Sequence, residues 1–198
     1  MNNQELTNLA RIYGLAFANH TTWKNVVKND DRRLKVLTHL FHMINKVANH
    51  YGDIFVVKHE GKDIGYISLI DEKDAKFSLL QLIISGALGE GIRFLLSLKP
   101  REMIVFLKFE LSLKKAYKNI SIKDKTIHLL NAGIDPKFKG MGYMSYAFRR
   151  LDSVYNDYDE MFLETSESIN EIIYKKIGYD VVHRQNSIVY MKHKVRRN

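Results

Sequence analysis

Apolar residues recur at two different spacings along the chain, and these spacings predict alternating helical and extended segments. Over residues 4–20 and 30–50 they lie three or four positions apart, which is typical of amphipathic helices. Residues 53–70 contain two β-rich runs around the polar stretch 60–63, so they predict a hairpin. The first part of the chain, about residues 1–52, is therefore expected to be helical, and the sheet is expected to begin after it.

The segment 76–118 is too long for a simple connection between strands, and its apolar pattern predicts helices. Residues 77–89 carry no charge, but Glu90 and Arg93 interrupt the run before it could cross a bilayer. Pro100 fits the first position of a second helix. We therefore predict two helices inserted before the fourth strand, which either roof a ligand site or add to the core.

The last third of the chain alternates between extended and helical patterns. Residues 126–134 and 162–165 predict strands, and the apolar residues of 144–155 repeat at helical spacing. Ser168 and Glu171 form a capping-box pattern at the start of a helix that Gly178 would end. Two short β-prone runs around Gln185 and Asn186 predict a final hairpin.

Composition is that of an ordinary globular protein. At 198 residues and 45% hydrophobic content, the chain fits one domain over residues 1–198. It contains no cysteine, which excludes a disulfide framework and thiol chemistry. The N-terminal residues lack the basic start and apolar core of a secretory signal, so a cytoplasmic location without membrane attachment is expected.

The charge balance is strongly positive. A net charge of +9 suits a polyanionic ligand and argues against polycationic ligands unless their site is locally acidic. Lysines are scattered along the chain, and the basic cluster at 192–197 predicts a solvated tail. The sequence contains no recognisable nucleic-acid-binding motif, so no nucleic-acid partner is expected.

The loop after the strand at 126–134 combines lysines with glycines. Gly140 and Gly142 permit positive φ and a close approach of the backbone to a ligand. N–H groups at the start of the next helix lack intrahelical partners and lie at the positive end of the helix dipole. Lys137 and Lys139 add charge. The loop therefore favours an anion, while an ordinary turn with solvated lysines fits the same residues.

Two common phosphate loops fit this stretch incompletely. A nucleoside-triphosphate loop needs Lys-Ser or Lys-Thr after its last glycine, but Tyr143 follows Gly142, which excludes it. A dinucleotide loop fits better, because Ser145 stands where the third glycine belongs. Glu164 then ends an apolar run about twenty residues on, where the ribose-binding acid would lie. The dinucleotide alternative stays open.

A third kind of loop matches more closely. Ile134, Asp135 and Pro136 end the strand, and residues 139–144 read Lys-Gly-Met-Gly-Tyr-Met. This arrangement resembles the GNAT superfamily of N-acetyltransferases, in which Val-x-Pro is followed by Gln/Arg-x-x-Gly-x-Gly/Ala. Lys139 replaces Gln or Arg and keeps a positive charge, whereas Met144 takes a position that is small in the family.

A second block resembles the same family. Asn170, Tyr174, Gly178 and Tyr179 have the order and spacing of its Asn-x-x-x-Tyr-x-x-Leu-Gly-Phe signature. The resemblance covers about residues 126–194, which would form the acetyl-CoA-binding half. It implies an α/β (α+β) fold: one GNAT-like domain with a central mixed, mostly antiparallel sheet flanked by helices.

The resemblance also implies an activity. The protein would be an N-acetyltransferase, in which a primary amine directly attacks acetyl-CoA and takes its acetyl group. The resemblance makes Tyr174 the acid that protonates the leaving thiolate, with packing in the core as the alternative. No metal is expected, and a homodimer is left open. The resemblance assigns cofactor binding to Ile134, Lys139, Gly140, Met141, Gly142, Tyr143, Met144 and Asn170.

A general base and the acceptor are harder to assign. His128 on the predicted fourth strand has suitable chemistry near neutral pH, Glu110 on an inserted helix is a second option, and a water relay is a third. In the family, residues 17–23 would border the acceptor pocket. Two other functions stay open, a non-catalytic acyl-CoA-binding module and a dinucleotide-binding protein.

Overall fold

The computed structural model describes residues 1–75, 77–117 and 119–196. Two short 3₁₀ turns, Glu72–Asp74 and Pro136–Phe138, join larger elements. The strands are β1 (Gly52–His59), β2 (Lys62–Asp71), β3 (Thr126–Ile134), β4 (Glu160–Thr165), β5 (Asp180–Gln185) and β6 (Ile188–Lys194). The helices are α1 (Asn3–Phe17), α2 (Thr21–Val26), α3 (Asp30–Tyr51), α4 (Leu79–Ile84), α5 (Leu88–Ser97), α6 (Pro100–Tyr117), α7 (Tyr143–Val154) and α8 (Ser168–Lys176).

The described strands form one six-stranded sheet in the order β1-β2-β3-β4-β6-β5. The β3–β4 pair is parallel, and the other neighbouring pairs are antiparallel. The predicted mixed, mostly antiparallel sheet is therefore confirmed. Strands from the N-terminal hairpin and from the C-terminal third join the same sheet.

Helices cover both faces of the sheet. Residues 64–70 of β2 are all buried, which explains why this strand is apolar without strict alternation. On one face, α1 and α3 contribute Leu9 and Phe41 to a cluster that also contains Tyr66 of β2. On the other face, Leu151 of α7 packs with Ile67 of β2. The β3–β4 region is thus held between two layers of helices.

The inserted segment differs from the prediction of two helices. It contains three, α4, α5 and α6, and it precedes the third strand of the chain rather than the fourth. The additional helix α4 begins with a capping box, in which Ser78 and Gln81 bond to each other's backbone N–H. The predicted boundary residues Lys76 and Lys118 lie outside the described residues.

Two details of the C-terminal third also differ from expectation. The N-cap of α8 is Glu167, so the predicted capping box at Ser168 does not form, and Glu171 instead pairs with Arg184. The basic cluster at 192–197 is not a solvated tail over its first part, because β6 continues to Lys194. Arg197 lies outside the described residues. None of the described helices combines the length and hydrophobicity needed to cross a membrane.

A buried arginine fixes the turn that leads from α1 through α2 into α3. The guanidinium of Arg33, 1% exposed, donates to the backbone carbonyls of Ala18 and Val27, at 2.5 and 2.8 Å. Replacing Arg33 with Met is expected to lower the free energy of unfolding by about 3 kcal/mol, because buried carbonyls lose charged donors.

Urea unfolding would measure this difference. Arg32→Met is the matched control, because Arg32 is more exposed and pairs with Glu102, so it should cost less. Equal losses for the two variants would contradict the anchoring role of Arg33.

Candidate functional site

The central feature of the sheet is a gap between two neighbouring strands. β3 and β4 are paired over only three positions, and the last of these joins His128 to Phe162. Beyond it, β3 stays paired with β2, and β4 stays paired with β6. The two strands therefore diverge, and residues 129–132 and 163–165 face each other across a groove. Such a groove exposes strand-edge N–H and C=O groups to a ligand.

A β-bulge lies at the point of divergence. Leu69 of β2 pairs with Leu129, whereas the preceding Ser68 pairs with Asn131, so Leu130 is an extra residue on β3. The Asn131 side chain lines the groove, and its buried Nδ2 has no hydrogen-bond partner among the described residues. A buried amide donor without a partner is costly unless a ligand or water satisfies it.

The glycine loop lies at the start of α7. Gly140 and Gly142 adopt φ of +85° and +83°, and both have open space around them, so the backbone conformation selects glycine here. Gly142 caps α7 without a side-chain hydrogen bond, which leaves the first N–H groups of the helix available to an anion.

Aromatic contacts hold this loop against the β1–β2 hairpin. The Tyr143 hydroxyl lies 2.8 Å from Nδ1 of His59, and the Phe138 ring packs edge-on against His59. Lys139 is exposed, and its charge contributes to lowering the pKa of Glu167, which places it near the β4–α8 connection. The loop thus lies beyond the C-terminal end of β3, where that strand has separated from β4.

A cavity of about 200 Å³ lies between the separated strands. Its walls come from the β3 and β4 edges and from helices on both sides, including Trp23 of α2. The expectation that residues 17–23 border a pocket is met, since Phe17, His20 and Thr22 also line this cavity. Its other aromatic walls are Phe41, Phe106, Phe109 and Phe148.

The inserted helix α6 and the start of α2 close over this cavity. Phe106 of α6 stacks on Trp23 with ring centroids 6.2 Å apart. Thr22 and Ser166 bring their hydroxyl oxygens within 2.8 Å of each other, and the Thr21 N–H donates to Glu167 at 2.7 Å. The insertion matches both of the uses predicted for it, because Phe106 and Phe109 line the cavity while Phe94 and Leu98 belong to the buried core.

Tyr174 and Asn170 of α8 both line the cavity. The Tyr174 ring packs against Phe148 and Tyr179, so its packing role and its access to the cavity coexist. Burial, with a smaller contribution from the charge of Glu164, raises the pKa of Tyr174 to about 12. Tyr174 is therefore a neutral phenol at physiological pH. Asn170 donates from Nδ2 to the Thr165 hydroxyl at 3.3 Å.

His128 is buried between two carboxylates. Its Nδ1 lies 2.8 Å from Oε2 of Glu72, and its Nε2 lies 2.8 Å from Oε2 of Glu164. Burial alone would lower the pKa of His128, but the charges and hydrogen bonds of Glu164 and Glu72 outweigh it and raise that pKa to about 10. A protonated imidazole has no free lone pair, so this arrangement argues against the general-base role that the sequence suggested.

Two other titratable groups do line the cavity. Burial raises the pKa of Glu110 on α6, and the charge of Glu164 adds to this while Lys114 opposes it. Burial lowers the pKa of His20, and the nearby Glu167 offsets this in part. His20 is therefore neutral at physiological pH. Both residues can accept a proton there, and Glu110 was the second option of the sequence analysis.

The predicted site residues fall into two groups along the groove. Four residues are exposed at or just before the start of α7: Lys139, Gly140, Met141 and Gly142. The side chains of Ile134, Tyr143 and Met144 instead pack into the core cluster that contains Leu151. Tyr174 and Asn170 lie at the cavity, whereas His128 lies behind it and contacts it through Glu164.

Sequence reasoning missed three contacts of the site: the Glu72–His128 pair, the His59–Tyr143 hydrogen bond and the docking of α2 on the β4–α8 connection. Each joins segments more than fifty residues apart, and no local pattern marks the partners. Glu164 was singled out as a ribose-binding acid, but its carboxylate is bound to His128. The dinucleotide alternative also requires a doubly wound parallel sheet, which the strand order excludes.

Comparisons with known proteins give matches in structure only. No protein-family model matches the sequence, and no curated protein matches it. Solved structures match over almost the whole chain. A protein from Corynebacterium glutamicum described as "histone acetyltransferase HPA2 and related acetyltransferase" has a TM-score of 0.60 at 14% identity, with 100% of this chain and 95% of that chain covered.

Two further structures are similar. The PaiA N-acetyltransferase from Thermoplasma acidophilum, in complex with coenzyme A, has a TM-score of 0.57 at 11% identity, covering 98% of this chain and 95% of that one. The C-terminal condensation domain of Ebony, in complex with β-alanyl-dopamine, has a TM-score of 0.65 at 12% identity, covering 98% of this chain and 96% of that one. The chain therefore has the same fold as these proteins, two of which are described as acetyltransferases, and the fold that the sequence resemblance implied is confirmed.

Proposed function

We propose that the protein is an N-acetyltransferase that transfers an acetyl group from acetyl-CoA to a primary amine. The observation that carries this proposal is the groove between β3 and β4, which contains a cavity lined by Tyr174 and is followed along the chain by the glycine loop of α7. An extended ligand with a phosphate end and a reactive end fits such a groove.

The residues at the loop suit the phosphate end of acetyl-CoA. Gly140 and Gly142 bring the backbone of the loop close to a ligand, and the N–H groups at the start of α7 favour negative charge. Lys137 and Lys139 add exposed positive charge just before this helix end. Further along the groove, the unpaired amide of Asn131 is a donor for a polar group of the pantetheine chain.

The residues at the cavity suit acyl transfer. Acetyl-CoA supplies a thioester, whose carbonyl carbon forms the new C–N bond with an unprotonated amine as the C–S bond breaks. Tyr174 is the proton donor for the sulfur, because its phenol is neutral and lines the cavity. Glu110 is the proton acceptor for the amine in this proposal, because it lines the cavity and burial raises the pKa of its carboxyl, which makes the carboxylate a stronger base.

Two of the similar structures bear on the ligands. One is an N-acetyltransferase with bound coenzyme A. The other holds β-alanyl-dopamine, whose two halves are joined by an amide, the bond that amine acylation makes. The first supports the proposed acyl donor, and the second supports an amine acceptor. A non-catalytic acyl-CoA-binding module is the second candidate, and it predicts cofactor binding without turnover.

Binding of the cofactor is tested by calorimetric titration of the full chain with acetyl-CoA, CoA and NAD. We expect acetyl-CoA and CoA to bind and NAD to bind far more weakly. The double variant Lys139→Glu with Gly142→Asp should lose roughly 100-fold or more in CoA affinity, because like charges facing each other cost several kcal/mol. The variant also places a side chain where φ is +83°.

A matched control separates this effect from general damage. Lys35→Glu with Gly86→Asp makes the same two exchanges on α3 and on the α4–α5 turn, where Gly86 also has positive φ and open space. CoA affinity should stay within a few-fold of the parent protein. No binding of CoA, or a preference for NAD, would refute the proposed function.

A further inference from the structure

The cavity differs in charge from the rest of the protein. The chain has a net charge of +9, yet the described residues that line the cavity include no lysine or arginine. Two carboxylates line it instead, Glu110 of α6 and Glu164 of β4. The site is therefore locally acidic, which reverses the expectation that the overall charge gives for the ligand.

The buried network behind the cavity keeps this charge negative. Glu72, His128 and Glu164 carry a net charge of −1 when the imidazole is protonated between the two carboxylates. His20 adds no positive charge, because burial lowers its pKa and leaves it neutral. A cation entering the cavity therefore faces Glu164, whose charge is offset in part by His128, and the carboxyl of Glu110.

The remaining walls combine aromatic and aliphatic residues with polar ones, which are His20, Thr22, Asn131, Thr165, Ser166 and Asn170. Phe17, Trp23, Phe41, Phe106, Phe109 and Phe148 form much of the surface. The volume is about 200 Å³, and cavities of about 150 Å³ with apolar walls hold a single benzene ring. Aromatic faces also attract cations and stack on rings. The space suits one ring on a short chain.

We infer that the acceptor is a small primary amine attached to an aromatic group, with the ring against the phenylalanine and tryptophan walls and the ammonium beside Glu110 and Glu164. This inference rests on the proposed function for its chemistry, but the binding of such an amine is measurable by itself. The Glu110 carboxylate takes the proton that the ammonium must lose before its nitrogen can attack the thioester, and the phenol of Tyr174 protonates the departing sulfur.

Three probes separate the two features of the ligand. 2-Phenylethylamine carries both the ring and the charge, ethylamine carries the charge alone, and 2-phenylethanol carries the ring alone. Each would be titrated calorimetrically into the full chain, with and without saturating CoA. We expect 2-phenylethylamine to bind at least tenfold more tightly than either partial probe, because only it uses the aromatic walls and the carboxylates together.

A conservative variant tests whether the Glu110 carboxylate binds the ammonium group. Glu110→Gln should weaken 2-phenylethylamine binding by about tenfold and leave 2-phenylethanol within about twofold, since the shape of the wall is kept. Asp157→Asn removes one negative charge from an exposed position and is the matched control, with both affinities unchanged. Circular dichroism and thermal unfolding would establish that both variants fold.

The outcomes distinguish this inference from the proposed function. The inference would be overturned if ethylamine bound as tightly as 2-phenylethylamine, or if 2-phenylethanol bound as tightly as 2-phenylethylamine. CoA binding without any binding of 2-phenylethylamine would also overturn it, a result that leaves the proposed function standing. A protein that binds the amine selectively but binds neither CoA nor acetyl-CoA supports the inferred ligand class and refutes the proposed activity.

Discussion

Replacing Tyr174 with Phe is expected to lower kcat for acetyl transfer by about 10²- to 10⁴-fold, the usual contribution of a positioned acid. The hydroxyl is the only group removed, and the ring contacts with Phe148 and Tyr179 are kept. Because the phenol has a pKa of about 12, it is the protonated form that acts at neutral pH. Steady-state rates with 2-phenylethylamine and acetyl-CoA would measure the loss, and calorimetry should give an unchanged affinity for acetyl-CoA.

The neighbouring tyrosine provides the control for this variant. Tyr179 is buried against the same rings, and its hydroxyl points to the sulfur of Met161 at 3.5 Å, away from the cavity lining. Tyr179→Phe should therefore keep kcat within a few-fold. If Tyr174→Phe retained full kcat, Tyr174 would be a packing residue. If the parent protein binds acetyl-CoA but acetylates none of a panel of amines, the non-catalytic module is favoured.

Replacing His128 with Gln is expected to lower the free energy of unfolding by about 3–5 kcal/mol near pH 6, the usual cost of removing one member of a buried ion pair. The variant leaves the carboxylates of Glu72 and Glu164 facing a neutral side chain in the interior. Urea unfolding at several pH values would measure the loss. His50→Gln, at an exposed position of α3, should change stability by less than about 0.5 kcal/mol.

The loss of stability in His128→Gln is expected to depend on pH in a defined direction. The pKa of His128 is about 10 in the folded protein and about 6.5 in the unfolded chain, so the folded state binds the proton more tightly. The stabilisation is fully present below about pH 6.5 and is lost as the pH rises through about 10. The difference between the parent protein and His128→Gln should therefore shrink between these two values.

A constant difference across that pH range would contradict the protonated state of His128. Adding Glu72→Gln to His128→Gln should recover part of the stability, because one of the two partly buried carboxylates that lost the imidazole is then neutral. A further loss in the double variant would instead show that Glu72 has other stabilising contacts. Both results report on how the network of Glu72 and His128 holds Glu164 at the cavity wall.

Local signals in the sequence were enough for most of the elements. The helical spacing of apolar residues predicted α1 and α3 to within a few residues, and the polar stretch between two β-rich runs predicted the hairpin of β1 and β2. Glu60 and Gly61 in that turn both have positive φ, as a tight turn between twisted strands requires. These features depend on residues that are neighbours in the chain, so a pattern can reveal them.

The glycine loop was predictable for the same reason. Gly140 and Gly142 adopt left-handed conformations, and the helix that follows is set by the spacing of Ala147, Phe148 and Leu151. The capping-box prediction at Ser168 failed because Glu171 pairs with Arg184 of β5, a tertiary contact that outweighs the local signal. The third inserted helix was missed because its apolar run is short and exposed.

The sequence by itself determined most of the helices, both hairpins and an anion-favouring loop, because backbone conformation and amphipathic spacing are local properties. Only the tertiary structure decided where β3 and β4 separate, which aromatic rings meet at the cavity, and what charge His128 carries. The ionisation of a buried group depends on partners brought together by packing, and Glu72, His128 and Glu164 come from three distant segments. A histidine that reads as a base in the sequence is therefore a buried cation in the fold.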